Sequence, residues 1–357
     1  MDHGLRRTRL ASRLVELGAD GFLLTRPPNV RYTTGFTGSN GQVLLAPDGA
    51  AFFTDGRYTA QARHEVPDLE RVTYLDGFLQ PVVQAARRLG VGRLGFESGG
   101  VTFQTYEELR AAAEGIELVP VRGEVERQRW VKEPEELAAL ERAQAVTDDA
   151  FDAVVGRLRD GVSERELAFE LEAEMRRAGA EGLSFDTIVA FGEDAAEPHH
   201  EPTDRTLSRG DVVKMDFGGL VDGYHADMTR TVAFGEPPAR LRDVHELVRM
   251  AQQAGIEAVR VGATGAEVDA GARAVIEAAG LAEHFTHGLG HGVGLEIHEG
   301  PRLRRGSDDV LPAGAVVTVE PGVYLPGVGG VRIEDMVEVR EDGRRALPRA
   351  SKDLVPA

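Results

Sequence analysis

Four acidic residues interrupt stretches of sequence that otherwise have the apolar pattern of β-strands. They are Asp216, Asp227, Glu320 and Glu334. A carboxylate inside such a strand is costly unless it is paired, hydrogen-bonded or bound to a metal. If the four share one site, their like charges resist joint ionisation, and a pair of divalent cations relieves that repulsion. The alternative is that Arg230 and Arg332 neutralise the carboxylates as ion pairs.

Half of the ten histidines fall in two short segments, His199 and His200 in one and His287, His291 and His298 in the other. His287 and His291 have the four-residue spacing of a helical zinc motif. However, glycines at positions 288, 290, 292 and 294 each cost a helix about 1 kcal/mol relative to alanine. The pattern therefore predicts an extended or looping backbone whose glycines let the chain pass close to metals or substrate.

Helices followed by hairpins are predicted to position these residues, and this order occurs twice. The first unit contains helical patterns over 134–158 and 163–178 and apolar runs over 211–217 and 224–234. Ser163 and Glu166 have the spacing of a capping box at a helix start. The second unit contains helical patterns over 243–261 and 266–279 and apolar runs over 315–324 and 331–339. Because glycine-containing loops join each pair of runs, the repeat predicts a pseudo-symmetric α/β fold.

A separate small α/β domain is predicted before these units. Its helical patterns cover 5–18, 80–89 and 105–114, and its strands cover 21–24, 41–46, 51–54 and 93–97. A highly charged segment follows, as is typical of an exposed linker. We therefore predict an amino-terminal domain over 1–124, a linker over 125–133 and a catalytic domain over 134–357.

The composition narrows the classes of function. The chain has 357 residues, which favours two domains, and its net charge of −18 argues against nucleic-acid binding. Because it has no cysteine, disulfides, thiolate metal sites and a cysteine nucleophile are excluded. No stretch approaches the roughly 20 apolar residues of a membrane span, and the first residues lack a signal-peptide pattern. We expect a cytoplasmic protein that acts on no membrane.

The ordered set Asp216, Asp227, His291, Glu320 and Glu334 resembles the five metal ligands of the pita-bread metallopeptidases. Within that family the chain resembles the aminopeptidase P and prolidase branch. Segments 185–190, 198–200, 227–231, 287–294, 320–322 and 332–335 carry this likeness, and 29–40 and 53–58 resemble the creatinase-type amino-terminal domain. The resemblance implies a two-domain α/β protein, in which a creatinase-like domain precedes a pseudo-symmetric α+β pita-bread catalytic domain.

The resemblance also implies roles for particular residues. Two divalent metal ions per subunit are expected, with Mn ahead of Co or Zn, because oxygen-rich ligands without sulfur suit these metals. Asp227 and Glu334 are expected to bridge them, and Glu320 is both a ligand and our candidate proton shuttle. His199, His287 and His298 are expected to contact the substrate or stabilise the transition state. Phe185 and Ile297 are expected to line the proline pocket. Arg332 is expected to support the metal carboxylates. A homodimer is implied as well.

The expected reaction is hydrolysis of the bond between an N-terminal residue and a following proline. Arg302 lies where an arginine of some prolidases meets the terminal carboxylate of the substrate, which favours Xaa-Pro dipeptides. An aminopeptidase P acting on longer peptides is the alternative, with Arg302 as an ordinary surface residue. Methionine aminopeptidases normally lack the amino-terminal domain, and creatinases lack the metal ligands. A pita-bread homologue that only binds other molecules is the alternative from another class.

Overall fold

The computed structural model describes residues 1–355 of the chain. The chain divides into two compact units between Arg129 and Trp130. This division lies inside the predicted linker 125–133, most of which is helical, since a helix covers Glu124–Trp130.

The first unit contains one six-stranded sheet with helices. Its strands are β1 (Gly21–Leu24), β2 (Gln42–Ala46), β3 (Gly49–Asp55), β4 (Glu70–Tyr74), β5 (Arg93–Glu97) and β6 (Glu117–Val121). Its helices are α1 (His3–Ser12), α2 (Pro27–Thr34), α3 (Thr59–Glu65), α4 (Leu79–Arg88), α5 (Phe103–Ala112) and α6 (Glu124–Trp130). The strand order is β4-β3-β2-β1-β5-β6, with β1, β5 and β6 parallel.

One prediction for this unit was wrong in detail, and several of its elements were not predicted, among them α2, α3, β4 and β6. The first helix ends at Ser12, and residues after it form turns instead of continuing to residue 18. Helix α2 was not predicted, because its start contains two consecutive prolines. Proline is nevertheless well suited to the first helical position, where its missing N–H has no partner to lose. Gly35 ends α2 with a φ of 79°, a left-handed conformation that favours glycine.

The second unit contains four long helices and several small sheets. The helices are α7 (Pro134–Val155), α8 (Glu164–Arg177), α9 (Ala239–Ala258) and α10 (Gly265–Ala278). The strands of its first half are β7 (Gly182–Leu183), β8 (Ile188–Phe191), β9 (Val212–Phe217), β10 (Gly219–Val221), β11 (Tyr224–His225) and β12 (Met228–Ala233). Those of its second half are β13 (Gly290–Gly292), β14 (Glu299–Leu303), β15 (Val316–Val319), β16 (Gly322–Leu325), β17 (Gly329–Arg332), β18 (Asp335–Arg340) and β19 (Gly343–Ala346).

The two halves of this unit repeat one arrangement, as the sequence predicted. Helices α7 and α8 share a hydrophobic core with the sheet β12-β9-β8, through residues such as Phe151 and Leu171. Helices α9 and α10 share another core with the sheet β14-β13-β15-β18-β19, through residues such as Val248 and Ile276. The predicted capping box of Ser163 and Glu166 is present at the start of α8. Each half therefore presents the inner face of a sheet that can carry ligands.

The second hairpin differs from its prediction. Each predicted strand is broken in two, so that β15 pairs with β18 and β16 pairs with β17. One break falls at Glu320 and Pro321, where proline cannot donate a hydrogen bond to a strand ladder. The other falls at Ile333 and Glu334. The two breaks put Glu320 and Glu334 at bends, so these carboxylates do not have to lie within a continuous apolar strand.

Candidate metal centre and active site

The five predicted metal ligands come from both halves of the second unit. Asp216 lies on β9 opposite Thr229, and Asp227 directly precedes β12. His291 is the central residue of β13. Asp216, Asp227, His291 and Glu334 are all at most 9% exposed, and Glu320 is half-buried.

The ligand atoms lie close together. His291 Nε2 is 3.4 Å from Glu320 Oε1 and 3.6 Å from Asp227 Oδ2. One ligand atom from each of Asp227, His291 and Glu334 lies within 4.8 Å of the other two. His291 Nδ1 donates to the carbonyl of Gly292 at 3.0 Å, so Nε2 is the nitrogen left to bind a cation. The structure thus places the predicted ligands in one cluster.

Hydrogen bonds to these carboxylates leave particular oxygens available. Thr229 Oγ1 donates to Glu334 Oε2 at 2.7 Å, and Arg332 donates to Asp216 Oδ2. Asp216 Oδ1 and Glu334 Oε1 are buried and have no hydrogen-bond partner within the described residues. A buried carboxylate oxygen of this kind is costly to maintain, and coordination of a cation satisfies it. The donor set of four carboxylates and one imidazole therefore fits a divalent metal site.

The pKa values reflect the crowding of buried charge. Burial and then repulsion from Asp216 and Glu320 raise the pKa of Asp227 well above its usual range. Burial and then repulsion from Asp227 and Glu320 raise that of Glu334 in the same way. Burial raises the pKa of Glu320 to about 7, against the charge of Arg332. Burial and the neighbouring His298 lower the pKa of His291 to about 3, which keeps its imidazole neutral and able to coordinate.

Ion pairs with arginine account for only one of the four carboxylates. Arg332 pairs with Asp216, as the alternative proposed. Arg230 instead pairs with Asp335 at 2.8 Å and donates to the main-chain carbonyl of Glu334. One guanidinium cannot pair with four carboxylates, so ion pairing does not account for the burial of Asp227, Glu320 and Glu334.

A cavity of about 960 Å³ opens from the cluster. It is lined by every site residue that the sequence predicted: Phe185, His199, Asp216, Asp227, His287, His291, Ile297, His298, Arg302, Glu320, Arg332 and Glu334. The rings of His291 and His298 meet edge to face with centroids 4.4 Å apart. His199, His298 and Arg302 are exposed, whereas Phe185 and Ile297 are half-buried. The cavity thus combines charged ligands with exposed polar groups and apolar walls.

His287 is more constrained than the sequence suggested. Its Nδ1 donates to the carbonyl of Gly288 at 2.8 Å, and its Nε2 lies 2.9 Å from the hydroxyl of Tyr324. Because Nδ1 carries the proton of the neutral ring, Nε2 accepts a hydrogen bond from the Tyr324 hydroxyl, which itself accepts one from Arg332. Burial and the charge of Arg332 lower the pKa of His287 to about 4. Both ring nitrogens are therefore engaged, and a substrate contact by either one requires the loss of a hydrogen bond.

The glycines of the segment 287–299 allow close packing of neighbouring strands, in addition to the predicted close passage of the chain by metals or substrate. The segment contains no helix, as expected, and Gly288 and Gly290 line the cavity. A Cβ atom at Gly290 would overlap the carbonyl oxygen of Thr318, and one at Gly292 would overlap that of Gly300. These two glycines are thus required by the close approach of strands β14 and β15, which hold His291 between them.

Three residues that support the site were not singled out from the sequence. Thr229 holds Glu334, and Tyr324 holds His287. Lys214 lies on β9 with its Nζ 5.4 Å from the centre of the Tyr324 ring. One signal was available for Lys214. It lies two residues before Asp216, so both side chains leave the same face of the strand. Tyr324 carried no comparable signal, because a tyrosine in an apolar run is usual in strands.

A buried cluster of carboxylates and one histidine, open to a large cavity, defines a metal-dependent enzyme centre of the kind that activates water. The chain belongs to metallopeptidase family M24, which matches residues 138–341, and the Creatinase/Prolidase N-terminal domain matches residues 6–131. Both the predicted family and the predicted fold class are thereby confirmed. The amino-terminal match also disfavours the methionine aminopeptidase alternative.

Known proteins resemble the chain along nearly its whole length. "Uncharacterized peptidase YqhT" of Bacillus subtilis is 42% identical over 347 residues, which cover 97% of this chain and 98% of that protein. An Xaa-Pro dipeptidase from Bacillus anthracis has a TM-score of 0.97 and 40% identity, covering 99% of both chains. An X-Pro aminopeptidase from Thermotoga maritima has a TM-score of 0.90 and 36% identity, covering 98% of this chain and 99% of that one.

Among residues 1–355, no helix combines the length and the apolar character that crossing a bilayer requires.

Proposed function

We propose that the protein is a dinuclear-metal peptidase that hydrolyses the bond between an N-terminal residue and a following proline, most readily in Xaa-Pro dipeptides. The observation that carries this proposal is the convergence of Asp216, Asp227, His291, Glu320 and Glu334 on one cavity, with buried carboxylate oxygens left to coordinate. The names of the similar proteins, an Xaa-Pro dipeptidase and an X-Pro aminopeptidase among them, support the substrate class.

These five residues are proposed to hold two cations per subunit, with Asp227 and Glu334 shared between them and Mn preferred over Co or Zn. The oxygen-rich donor set supports this preference. When bound, the metal pair supplies Lewis acidity, which polarises a carbonyl group and lowers the pKa of water. Metal analysis of the protein as purified from its own source tests the choice of metal.

The protein side chains then handle protons and charge. Glu320 borders the cavity, and its carboxylate can accept a proton from the attacking water and pass it to the departing proline nitrogen. Burial and then the charge of Arg302 lower the pKa of His298. Its neutral ring can donate an N–H to the carbonyl oxygen as negative charge develops there, with His199 as a second donor. Arg332 holds Asp216 and, through Tyr324, His287.

Recognition of proline is assigned to the apolar wall. Phe185 and Ile297 are half-buried and border the same cavity as the ligands. A bond before proline offers no N–H for recognition, so a peptidase that cuts it needs contacts with the ring itself. Two apolar side chains next to the charged cluster meet that need.

Hydrolysis of an Xaa-Pro dipeptide and an Xaa-Pro-Xaa tripeptide by the metal-loaded enzyme tests the function. Cleavage of the dipeptide alone is the expected result. Efficient cleavage of the tripeptide identifies the alternative, an aminopeptidase P. A protein that binds metal but cleaves neither peptide is the outcome expected for the non-catalytic alternative, and it overturns the proposal.

Arg302→Ala is expected to raise KM for an Xaa-Pro dipeptide by about 10- to 100-fold, because a charged hydrogen bond contributes about 1.5–3 kcal/mol. Arg302 borders the cavity, and its guanidinium makes no hydrogen bond or ion pair within the described residues, so it can meet the substrate carboxylate. Steady-state kinetics with a dipeptide and its C-terminal amide measure the effect, and the amide should be insensitive. Arg305→Ala is the matched control, since Arg305 pairs with Glu277 outside the cavity. Equal KM values for variant and wild type argue against a carboxylate contact.

We also propose that the protein is a homodimer that works in the cytoplasm on peptide substrates, without nucleic-acid or membrane partners. Its family membership and its net charge of −18 support this assignment. Light scattering after size-exclusion chromatography measures the assembly, and a monomeric mass contradicts the dimer.

A further inference from the structure

Lysine is rare in this chain. Of its 41 basic residues, only Lys132, Lys214 and Lys352 are lysines, and the rest are arginines. Lys132 is 8% exposed and Lys214 is fully buried. A chain that uses arginine almost everywhere thus has lysine at two buried positions. A lysine head is compact and carries three rotatable donors, unlike the planar fork of arginine.

The contacts of Lys214 are unusual for a buried lysine. It lies on β9 and leaves the strand on the same face as Asp216. Its Nζ donates to the main-chain carbonyls of Ala195, at 3.1 Å, and of Glu197. A third carbonyl, that of Pro198, lies at 3.5 Å. Within the described residues, all of its hydrogen bonds go to main-chain oxygens, so its head joins one short segment of backbone to β9.

Residues 195–198, whose carbonyl groups Lys214 contacts, lead directly to His199. The carbonyl of Pro198, which immediately precedes this histidine, also accepts a hydrogen bond from Arg332 at 3.1 Å. On the other side, His200 lies between Glu164 Oε2 at 2.9 Å and Glu197 Oε2 at 2.8 Å. Both neighbours of His199 are therefore anchored, while the exposed His199 ring borders the cavity.

We propose that Lys214 is a positioning residue, which fixes the backbone of residues 195–198 and thereby sets the place of His199 in the active site. The part of this inference that concerns catalysis rests on the proposed function, in which His199 contacts the reacting carbonyl. Lys214 itself does not border the cavity. Its effect on the reaction is therefore transmitted by the carbonyl groups that it holds.

Lys214→Met and Lys214→Gln separate hydrogen bonding from filling of space. Methionine has nearly the same length but no donor, whereas glutamine is shorter and keeps two N–H donors. For metal-loaded enzyme acting on an Xaa-Pro dipeptide, Lys214→Met is expected to lower kcat by about 10- to 100-fold. Lys214→Gln should fall between it and the wild type. Metal content and KM should change little in both variants, because Lys214 itself is neither a proposed ligand nor part of the pocket wall.

A double-mutant cycle with His199→Ala tests whether Lys214 acts through His199. Adding Lys214→Met to His199→Ala is expected to cause almost no further loss of kcat. Losses that multiply in the double variant overturn the inference, and so does wild-type kcat in Lys214→Met. If Lys214→Met does not fold, the cycle is run with Lys214→Gln.

Amide hydrogen exchange gives a readout that does not depend on catalysis. Residues 195–201 of Lys214→Met are expected to exchange about tenfold faster than in the wild type, while α9 stays unchanged. Unchanged exchange overturns the inference. A wild-type enzyme that cleaves no Xaa-Pro peptide removes the proposed function instead, and the exchange result then decides the positioning role alone.

Discussion

Replacement of Asp227 by asparagine is expected to remove bound metal and to lower kcat/KM by at least about 1000-fold, with the fold retained. Asp227 lies 3.6 Å from His291 Nε2 and shares a cluster of ligand atoms with Glu334. Its loss removes a charged ligand that both cations are proposed to share. Because metal ions contribute several kcal/mol of transition-state stabilisation, the rate falls by about three orders of magnitude.

The fold should survive, because the negative charge of Asp227 opposes folding of the metal-free protein. Burial and repulsion raise its pKa well above the usual range, so asparagine relieves an unfavourable buried charge. Metal analysis, circular dichroism and peptide hydrolysis with Mn²⁺ supplied measure the three properties. Asp222→Asn is a suitable control, since Asp222 is exposed in a turn with a φ of 51°, which asparagine tolerates well. Turnover by Asp227→Asn equal to the wild type contradicts the dinuclear site.

Local patterns in the sequence predicted most of the elements around this site. Strands β1 and β5 have the predicted bounds, and the capping box at Ser163 marks the start of α8. These features depend on neighbours within a few residues, so they are visible in the sequence. Helix α2 was not predicted, because proline usually indicates a break in a helix. The break in the strand at Glu320 was not predicted, because the apolar pattern continues on both sides of it.

The ligands of the site were recognisable because a carboxylate in an apolar run is locally unusual. Local patterns did not identify their supports, and only Arg332 was expected, from the family resemblance. Tyr324 holds His287 over a separation of 37 residues, and Arg332 holds Asp216 over 116. Contacts between residues so distant in the chain depend on how the two halves of the unit pack. Periodicity carries no information about that packing. The engagement of both His287 nitrogens is the clearest case, since the resemblance implied that His287 contacts the substrate or the transition state.

Glu320→Gln is expected to change the stability of the metal-free protein in a pH-dependent way. The free energy of unfolding of the variant minus that of the wild type should be about 2–3 kcal/mol larger at pH 8 than at pH 5. Burial raises the pKa of Glu320 to about 7 from an ordinary value of 4.5. Between these values the folded state binds more protons than the unfolded state, so stability falls as pH rises. Glutamine removes that contribution. Two buried histidines act in the opposite direction below pH 6.5, because burial lowers the pKa values of His287 and His291 to about 4 and 3.

Comparison of variant and wild type cancels the contribution of these histidines, which both proteins share. Urea unfolding of chelator-treated protein at the two pH values measures the difference, with Glu341→Gln as an exposed control. Burial lowers the pKa of Lys214 to about 6, so above that pH Lys214 opposes the carboxyl groups, and this contribution cancels in the same comparison. Mn²⁺ should stabilise the wild type more at pH 8 than at pH 5, since cations compete with protons for the same oxygens and bind better as pH rises. A difference of zero between variant and control means that the folded protein does not raise the pKa of Glu320. In that case the burial of like charge no longer accounts for metal binding at this site.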